Sequence, residues 1–431
     1  MTDLRDTATW REIHAQPGIW ADWAQALPVA DLRAWVAALG PREVWFCGAG
    51  SSAYVGDIAA AALEGQGRFR AIATTDIVAR PRAYLGGGAR PLVVSFGRSG
   101  NSAETIGLLD ALDALAPDAP RLNITCNAAG ALATRLAPTD PAPTDPAPTR
   151  SAPAGSAPAG SAPTRSAPTG PAPADPTSAD RVPTGLAPTG PAPTGPAPTA
   201  AHPPDGGTGA GSAQIAKGAC RAVILPAATH DAGFAMTSSF TTMLLTALAI
   251  FSELGTAPLP GMAQALTRLL PVYAEAAGPV PERAVFVGSG PLACAARECA
   301  LKVMELTAGR VPALWDTTLG FRHGPKSFVR GATLICVLTH PDPHTARYDA
   351  DLVAELRRQY PAARVLAVGP GGDIDVGMAD AGYGAALVVP LAQLMAVIWS
   401  AALGLHVDDP FQGQGTLSRV VSGVTLYPVR P

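Results

Sequence analysis

At 431 residues the chain can hold two domains of ordinary size, and 48% hydrophobic residues supply a sizeable core. A net charge of −3, with Lys and Arg scattered and no zinc-finger or basic-helix pattern, argues against nucleic acid or an anionic membrane as a partner. The six cysteines (Cys47, Cys126, Cys220, Cys294, Cys299 and Cys336) form no C-x-x-C pair and read as reduced, buried thiols of a cytoplasmic protein.

Residues 1–40 read as a helical segment, polar at its start and without the apolar core of a signal peptide. Strand Glu43–Cys47 then runs through Gly48-Ala49-Gly50 into helix Ser51–Glu64. Strand Pro91–Phe96 leads into a Gly/Ser-rich loop and helix Ser102–Leu115, and strand Leu122–Cys126 follows. Over 137–212 the chain changes to Pro/Ala/Thr/Gly repeats almost free of large apolar side chains. Such a segment cannot repay its ordering entropy, so it reads as a disordered insert within one domain. Strand Val223–Leu225 resumes the same sheet, ahead of helix Thr237–Leu254, whose apolar run is too short to span a bilayer. Next come strand Ala284–Val287, helix Leu292–Ala308, strand Leu334–Thr339, helix Ala346–Tyr360 and strand Val365–Val368. A last strand, Ala386–Val389, and a last helix, Leu391–Gly404, complete the pattern. The βαβ rhythm argues for doubly wound parallel sheets covered on both faces. VWFCGAG at Val44–Gly50 and VFVGSG at Val285–Gly290 repeat the same strand, Gly-x-Gly, helix unit, which implies two related α/β halves.

Two segments carry chemistry. SFGRSGNSAE (Ser95–Glu104) offers backbone N–H groups, the hydroxyls of Ser99 and Ser102, Asn101 and Arg98 to a phosphate at a helix start. ECALKVMEL puts Glu298, Lys302 and Glu305 on one helix face, with His323-Gly324-Pro325 downstream. A solvated face with i, i+4 pairing is the plain reading of such a helix, but apolar flanks nearly all round favour burial and use. GAGSSA at Gly48–Ala53 also fits a dinucleotide fingerprint, with Asp76 as a ribose ligand. Against that reading stands the second polar loop at a neighbouring strand end. The seven histidines are dispersed and no metal-ligand spacing occurs.

SFGRSGNSAET resembles the phosphate-loop signature of the sugar isomerase (SIS) family. ECALKVMEL with RHGP resembles the catalytic helix and His turn of the isomerase half of glutamine:fructose-6-phosphate amidotransferase. TWREIHAQP, FAMTSSFTTMLL and RVVSGVTLYP are similar to the AgaS type within that family. The resemblance implies two flavodoxin-like or Rossmann-like SIS domains over 41–260 and 270–408, the first holding the insert, and a tail over 409–431. It implies a cofactor-free enzyme that turns galactosamine 6-phosphate and water into tagatose 6-phosphate and ammonia. A glucosamine-6-phosphate deaminase, an aldose–ketose isomerase and a non-catalytic sugar-phosphate regulator are the alternatives. Glu305 would be the proton-shuttling base, His323 the ring-opening group and Lys302 their support, with Glu298 a turn earlier. Ser51, Ser52, Arg98, Ser99, Asn101 and Ser102 would bind phosphate and sugar. A homo-oligomer is expected. Where the amidotransferase carries an imine-forming tail lysine, this chain has Arg419.

Overall fold

The computed structural model describes residues 3–86, 90–135, 218–415, 417–421 and 423–430; the insert expected over 137–212 lies outside them. In chain order the helices are α1 (Ala8–Ala26), α2 (Val29–Leu39), α3 (Ser51–Ala62), α4 (Thr74–Ala79), α5 (Pro81–Leu85), α6 (Ala103–Leu115), α7 (Ala131–Thr134), α8 (Ser238–Phe251), α9 (Leu259–Ala277), α10 (Pro291–Leu306), α11 (Pro343–Gln359) and α12 (Ala381–Ala402). The strands are β1 (Val44–Gly48), β2 (Phe69–Ala73), β3 (Leu92–Gly97), β4 (Arg121–Thr125), β5 (Cys220–Ile224), β6 (Arg283–Gly288), β7 (Ala313–Thr317), β8 (Thr333–Leu338) and β9 (Arg364–Val368).

Two parallel sheets result, in the orders β2-β1-β3-β4-β5 and β7-β6-β8-β9. The strand order reverses between β1 and β3 in the first and between β6 and β8 in the second, where open α/β sheets place their ligands. β4 and β5 pair in register, Arg121 with Cys220 through Thr125 with Ile224, so the sheet closes across the insert.

Side-chain alternation divides each sheet between two cores. Val44, Phe46, Leu92 and Val94 face one way, and Ala284, Phe286, Leu334 and Cys336 of the second sheet join the same apolar cluster. Trp45, Cys47 and Val93 face a second cluster under α6, and Val285, Val287, Ile335 and Val337 face a third under α11. The helices α1, α3, α8, α9, α10 and α12 therefore form a shared central layer with a sheet on each side.

The two Gly-x-Gly turns match in backbone as well as in sequence. Gly50 has φ 57 and ψ −132, and Gly290 has φ 55 and ψ −128, a region essentially closed to other residues. A Cβ on Gly48 would lie 2.4 Å from the Ser52 backbone, so this glycine lets α3 sit close on β1.

The expected strand Ala386–Val389 is instead the middle of α12, which is buried on all sides. A continuous apolar run reads alike as a buried strand or a buried helix. α12 is also long and apolar enough to cross a membrane, but 83% of its apolar window is buried inside the fold. The edge strands β2 and β7 escape the sequence reading: FRAIA and ALWDT are short, partly exposed and without a regular apolar–polar alternation. Helix α9 escapes it as well.

α8 starts on a buried hub. Asp231 accepts from the backbone N–H of Thr237, Ser238 and Ser239 (2.8, 3.1 and 3.1 Å) and from their three hydroxyls (2.9, 2.5 and 2.5 Å). These N–H groups have no partner within the helix, and Asp231 is fully buried. Asp231→Ala leaves them unpaired in the interior and should cost about 3–5 kcal/mol in denaturant unfolding. A loss under about 1 kcal/mol would show that water or a rearranged cap replaces the carboxylate.

Candidate active site

α10 carries Glu298, Lys302 and Glu305, as the spacing predicts. Glu298 and Lys302 are fully buried, and the Glu305 side chain keeps 26% of its surface exposed. The Lys302 Nζ pairs with Glu305 Oε2, lies 3.3 Å from Glu298 Oε1 and donates to Ser51 Oγ at 3.0 Å. Ser51 opens α3 behind the Gly50 turn, so one ammonium ties the helix after β6 to the helix after β1. The contact of Lys302 to the fully buried Glu298 carboxylate is the longer of its two ion pairs.

The electrostatics follow from burial. Burial alone would lower Lys302, but the Glu298 and Glu305 carboxylates outweigh it and hold the ammonium charged. Glu298 moves the other way. Burial raises it to about 7 against the pull of Lys302, with Glu305 adding to the rise.

The Ser95–Glu104 loop sits at the C-terminal end of β3, beside the end of β1. Ser102 caps α6, its Oγ accepting from Thr105 N at 3.3 Å. Ser99 Oγ accepts from Asn101 N at 3.3 Å, and Asn101 Oδ1 accepts from Ala131 N at 2.8 Å. Gly100 has φ 64, and a Cβ there would press on Leu132 and Thr125, so only glycine fits the turn. Ser52 is buried, with its Oγ 3.7 Å from the Met236 sulfur.

Arg98 points elsewhere than a phosphate ligand would. Its guanidinium is buried and donates to the carbonyls of Gly233, Phe234, Ala235 and Arg419 at 3.1–3.4 Å. Burial and the neighbouring Arg419 lower its pKa, and Asp231, Cys126 and Glu305 oppose them, so the loop lies within electrostatic reach of α10. Ser51 likewise serves the lysine. His323 ends a short 3₁₀ turn (Gly320–His323); it is exposed and has no hydrogen bond or ion pair among the described residues. Asp76 is exposed on α4.

The hub Asp231 and the tail contact of Arg419, which pairs with the Asp231 carbonyl, lie beyond the sequence reading. The Asp-x5-Thr-Ser-Ser spacing ahead of α8 is the one local signal for the hub. Among the described residues no group of three or more His, Cys, Asp or Glu could hold a metal ion.

Two doubly wound parallel sheets, a Ser-rich loop at the first switch point and a buried acid–lysine helix from the second half define a double-SIS protein. No protein-family model matches the chain. Among curated proteins it is 32% identical to D-galactosamine-6-phosphate deaminase AgaS of Escherichia coli, over 98% of this chain and 96% of that one. It is 31% identical to the enzyme of the same name from Shewanella sp. (strain ANA-3), over 97% and 92%. The crystal structure of tagatose-6-phosphate ketose/aldose isomerase from Escherichia coli superposes with a TM-score of 0.72 at 29% identity, over 98% and 97%. The chain belongs to the AgaS family.

The buried carboxyl yields a prediction. Glu298 has a folded pKa raised from 4.5 to about 7, so its stabilising share is complete below pH 4.5 and is lost as pH rises through about 7. Glu298→Gln cannot ionise and escapes that loss. Its melting temperature relative to wild type should therefore rise between pH 5 and pH 8. A difference that is flat with pH, or that falls, would show that Glu298 ionises readily in the fold.

Proposed function

We propose that this chain is an amino-sugar phosphate deaminase/isomerase whose substrate is galactosamine 6-phosphate, with tagatose 6-phosphate and ammonia as products. The observation that carries the reading is the partly exposed Glu305 carboxylate, held on a fully buried lysine beside the first switch point. It is the one member of the α10 set open to a substrate.

In this reading the phosphate lies on the N–H groups of the Ser99–Ser102 loop and the hydroxyls of Ser99 and Ser102, with Arg98 fixing the loop from behind. His323 moves a proton between the ring oxygen and the anomeric hydroxyl, which opens the pyranose. Glu305 takes the C2 proton of the open aldehyde, giving an enolamine, and returns a proton to C1. The resulting C2 ketimine adds water, whose oxygen becomes the ketone, and ammonia leaves. Lys302 pairs with Glu305 and holds it in place. Arg419 cannot form an imine, so none is invoked on the tail.

The reading includes an assembly of at least two chains in a cytoplasmic setting. Met304, Trp315 and Leu319 are exposed on α10, on β7 and just after it, an apolar patch of the kind covered by a second copy. A solution mass equal to one chain at micromolar concentration would remove the assembly.

Purified protein should release ammonia from galactosamine 6-phosphate faster than from glucosamine 6-phosphate, and the free amino sugar should be a very poor substrate. Glu305→Gln should abolish turnover while holding sugar-phosphate binding within about tenfold. Ketose formation without ammonia would identify a simple isomerase, and turnover surviving in Glu305→Gln would exclude that residue as the base.

A further inference from the structure

Among the described residues His323 has no hydrogen-bond or ion-pair partner, yet its two flanks are held firmly. Arg322 precedes it and Lys326 follows three residues later, bracketing His323-Gly324-Pro325. Both cations converge on Glu355 of α11: Arg322 Nε donates to Oε2 at 2.7 Å, and Lys326 Nζ pairs with Oε1. The Glu355 side chain is only 18% exposed, and the hydrogen bonds from Lys326 and Arg322 hold its carboxyl below the usual range. Gly324, at φ 128, gives the segment a backbone that two rigid 3₁₀ turns flank, so the ring direction follows the two anchors.

The base of the turn is fixed from the same helix. Arg322 Nη1 also donates to the Thr318 carbonyl at 3.3 Å, and the Thr318 hydroxyl donates to fully buried Asp349 at 2.5 Å. Asp349 further accepts from Ser289 Oγ at 3.3 Å and from His340 N at 2.8 Å. Phe321, fully buried, packs in the cluster with Leu352 and Leu356 of α11. The helix therefore grips the segment at its start, before the histidine and after it.

We propose that Glu355 is a positioning residue for His323, aiming the imidazole by clamping Arg322 and Lys326. This rests on the reading that His323 opens the sugar ring. Glu355 touches no substrate in that reading. It acts through the turn, where a misplacement of about 1 Å can cost on the order of 100-fold in rate.

The test is a four-enzyme cycle of wild type, Glu355→Gln, His323→Ala and the double variant, read as kcat and KM for ammonia release from galactosamine 6-phosphate. Glu355→Gln should lower kcat about tenfold and change KM by less than about threefold. In the His323→Ala background the same change should alter kcat by less than about twofold, because there is no ring left to aim. Should Glu355→Gln fold poorly, Lys326→Met cuts one arm of the clamp and enters the same cycle. An equal kcat loss in both backgrounds overturns the positioning role and leaves His323 its own. A full-rate His323→Ala enzyme overturns the ring-opening reading, and the positioning role with it.

Discussion

The ammonium of Lys302 is the point on which both halves of the molecule depend. It lies in the central helix layer with no exposed surface, in a medium where an unpaired charge costs several kcal/mol. Two carboxylates from its own helix and one hydroxyl from α3 compensate it. One cation cannot fully serve two carboxylates, and the imbalance falls on Glu298, the fully buried one, whose pKa is raised. Glu305, reaching partly into solvent, takes the closer contact with Nζ. A proton held on Glu298 leaves the triad electrically neutral, which is how three ionisable groups share one apolar helix without opening it.

The same packing makes the two halves unequal. Both begin with a Gly-x-Gly turn in the same rare backbone state, and both place a switch point beside it. After β3 the chain offers Ser99, Asn101 and Ser102 on a loop that leads into the start of α6. After β8 the matching stretch is Thr339-His340-Pro341-Asp342. Here buried Asp349 takes the His340 N–H together with the hydroxyls of Ser289 and Thr318, and Asp342 caps α11. The two switch-point loops thus differ: in the second half Asp349, buried on α11, takes the donors around the loop, and the first half has no such carboxylate behind Ser99–Ser102 among the described residues.

Much of this is legible in the chain because alternation and periodicity survive where burial is one-sided. VWFC and LVVSF read as strands since each residue feeds one core or the other. The α10 triad is visible because charges at i, i+4 and i+7 amid apolar residues are too costly to bury unless they pair with one another. Ala386–Val389 within α12 reads as a strand because burial on every side erases the helical period, and β2 and β7 stay hidden because each is five residues long without regular alternation. The role of Arg98 is hidden for a different reason. A guanidinium in a phosphate-type loop looks like a ligand until tertiary structure brings the carbonyls of 233–235 against it.

Those carbonyls also account for what an arginine does at 419. Arg98 donates to the Arg419 carbonyl, and the Arg419 guanidinium pairs with the carbonyl of Asp231, whose carboxylate caps α8. Two guanidiniums repel at this range, and Arg98 is lowered by burial and by its neighbour. The repulsion is tolerated because each is bound to backbone dipoles and Asp231 supplies the opposing charge. The C-terminal segment is thus fastened to the loop after β3 through main-chain atoms. A lysine there would reach one carbonyl as a point charge, whereas the planar fork fixes direction as well. At position 419 the arginine therefore serves as a structural tie between the tail, the Asp231 carbonyl and Arg98.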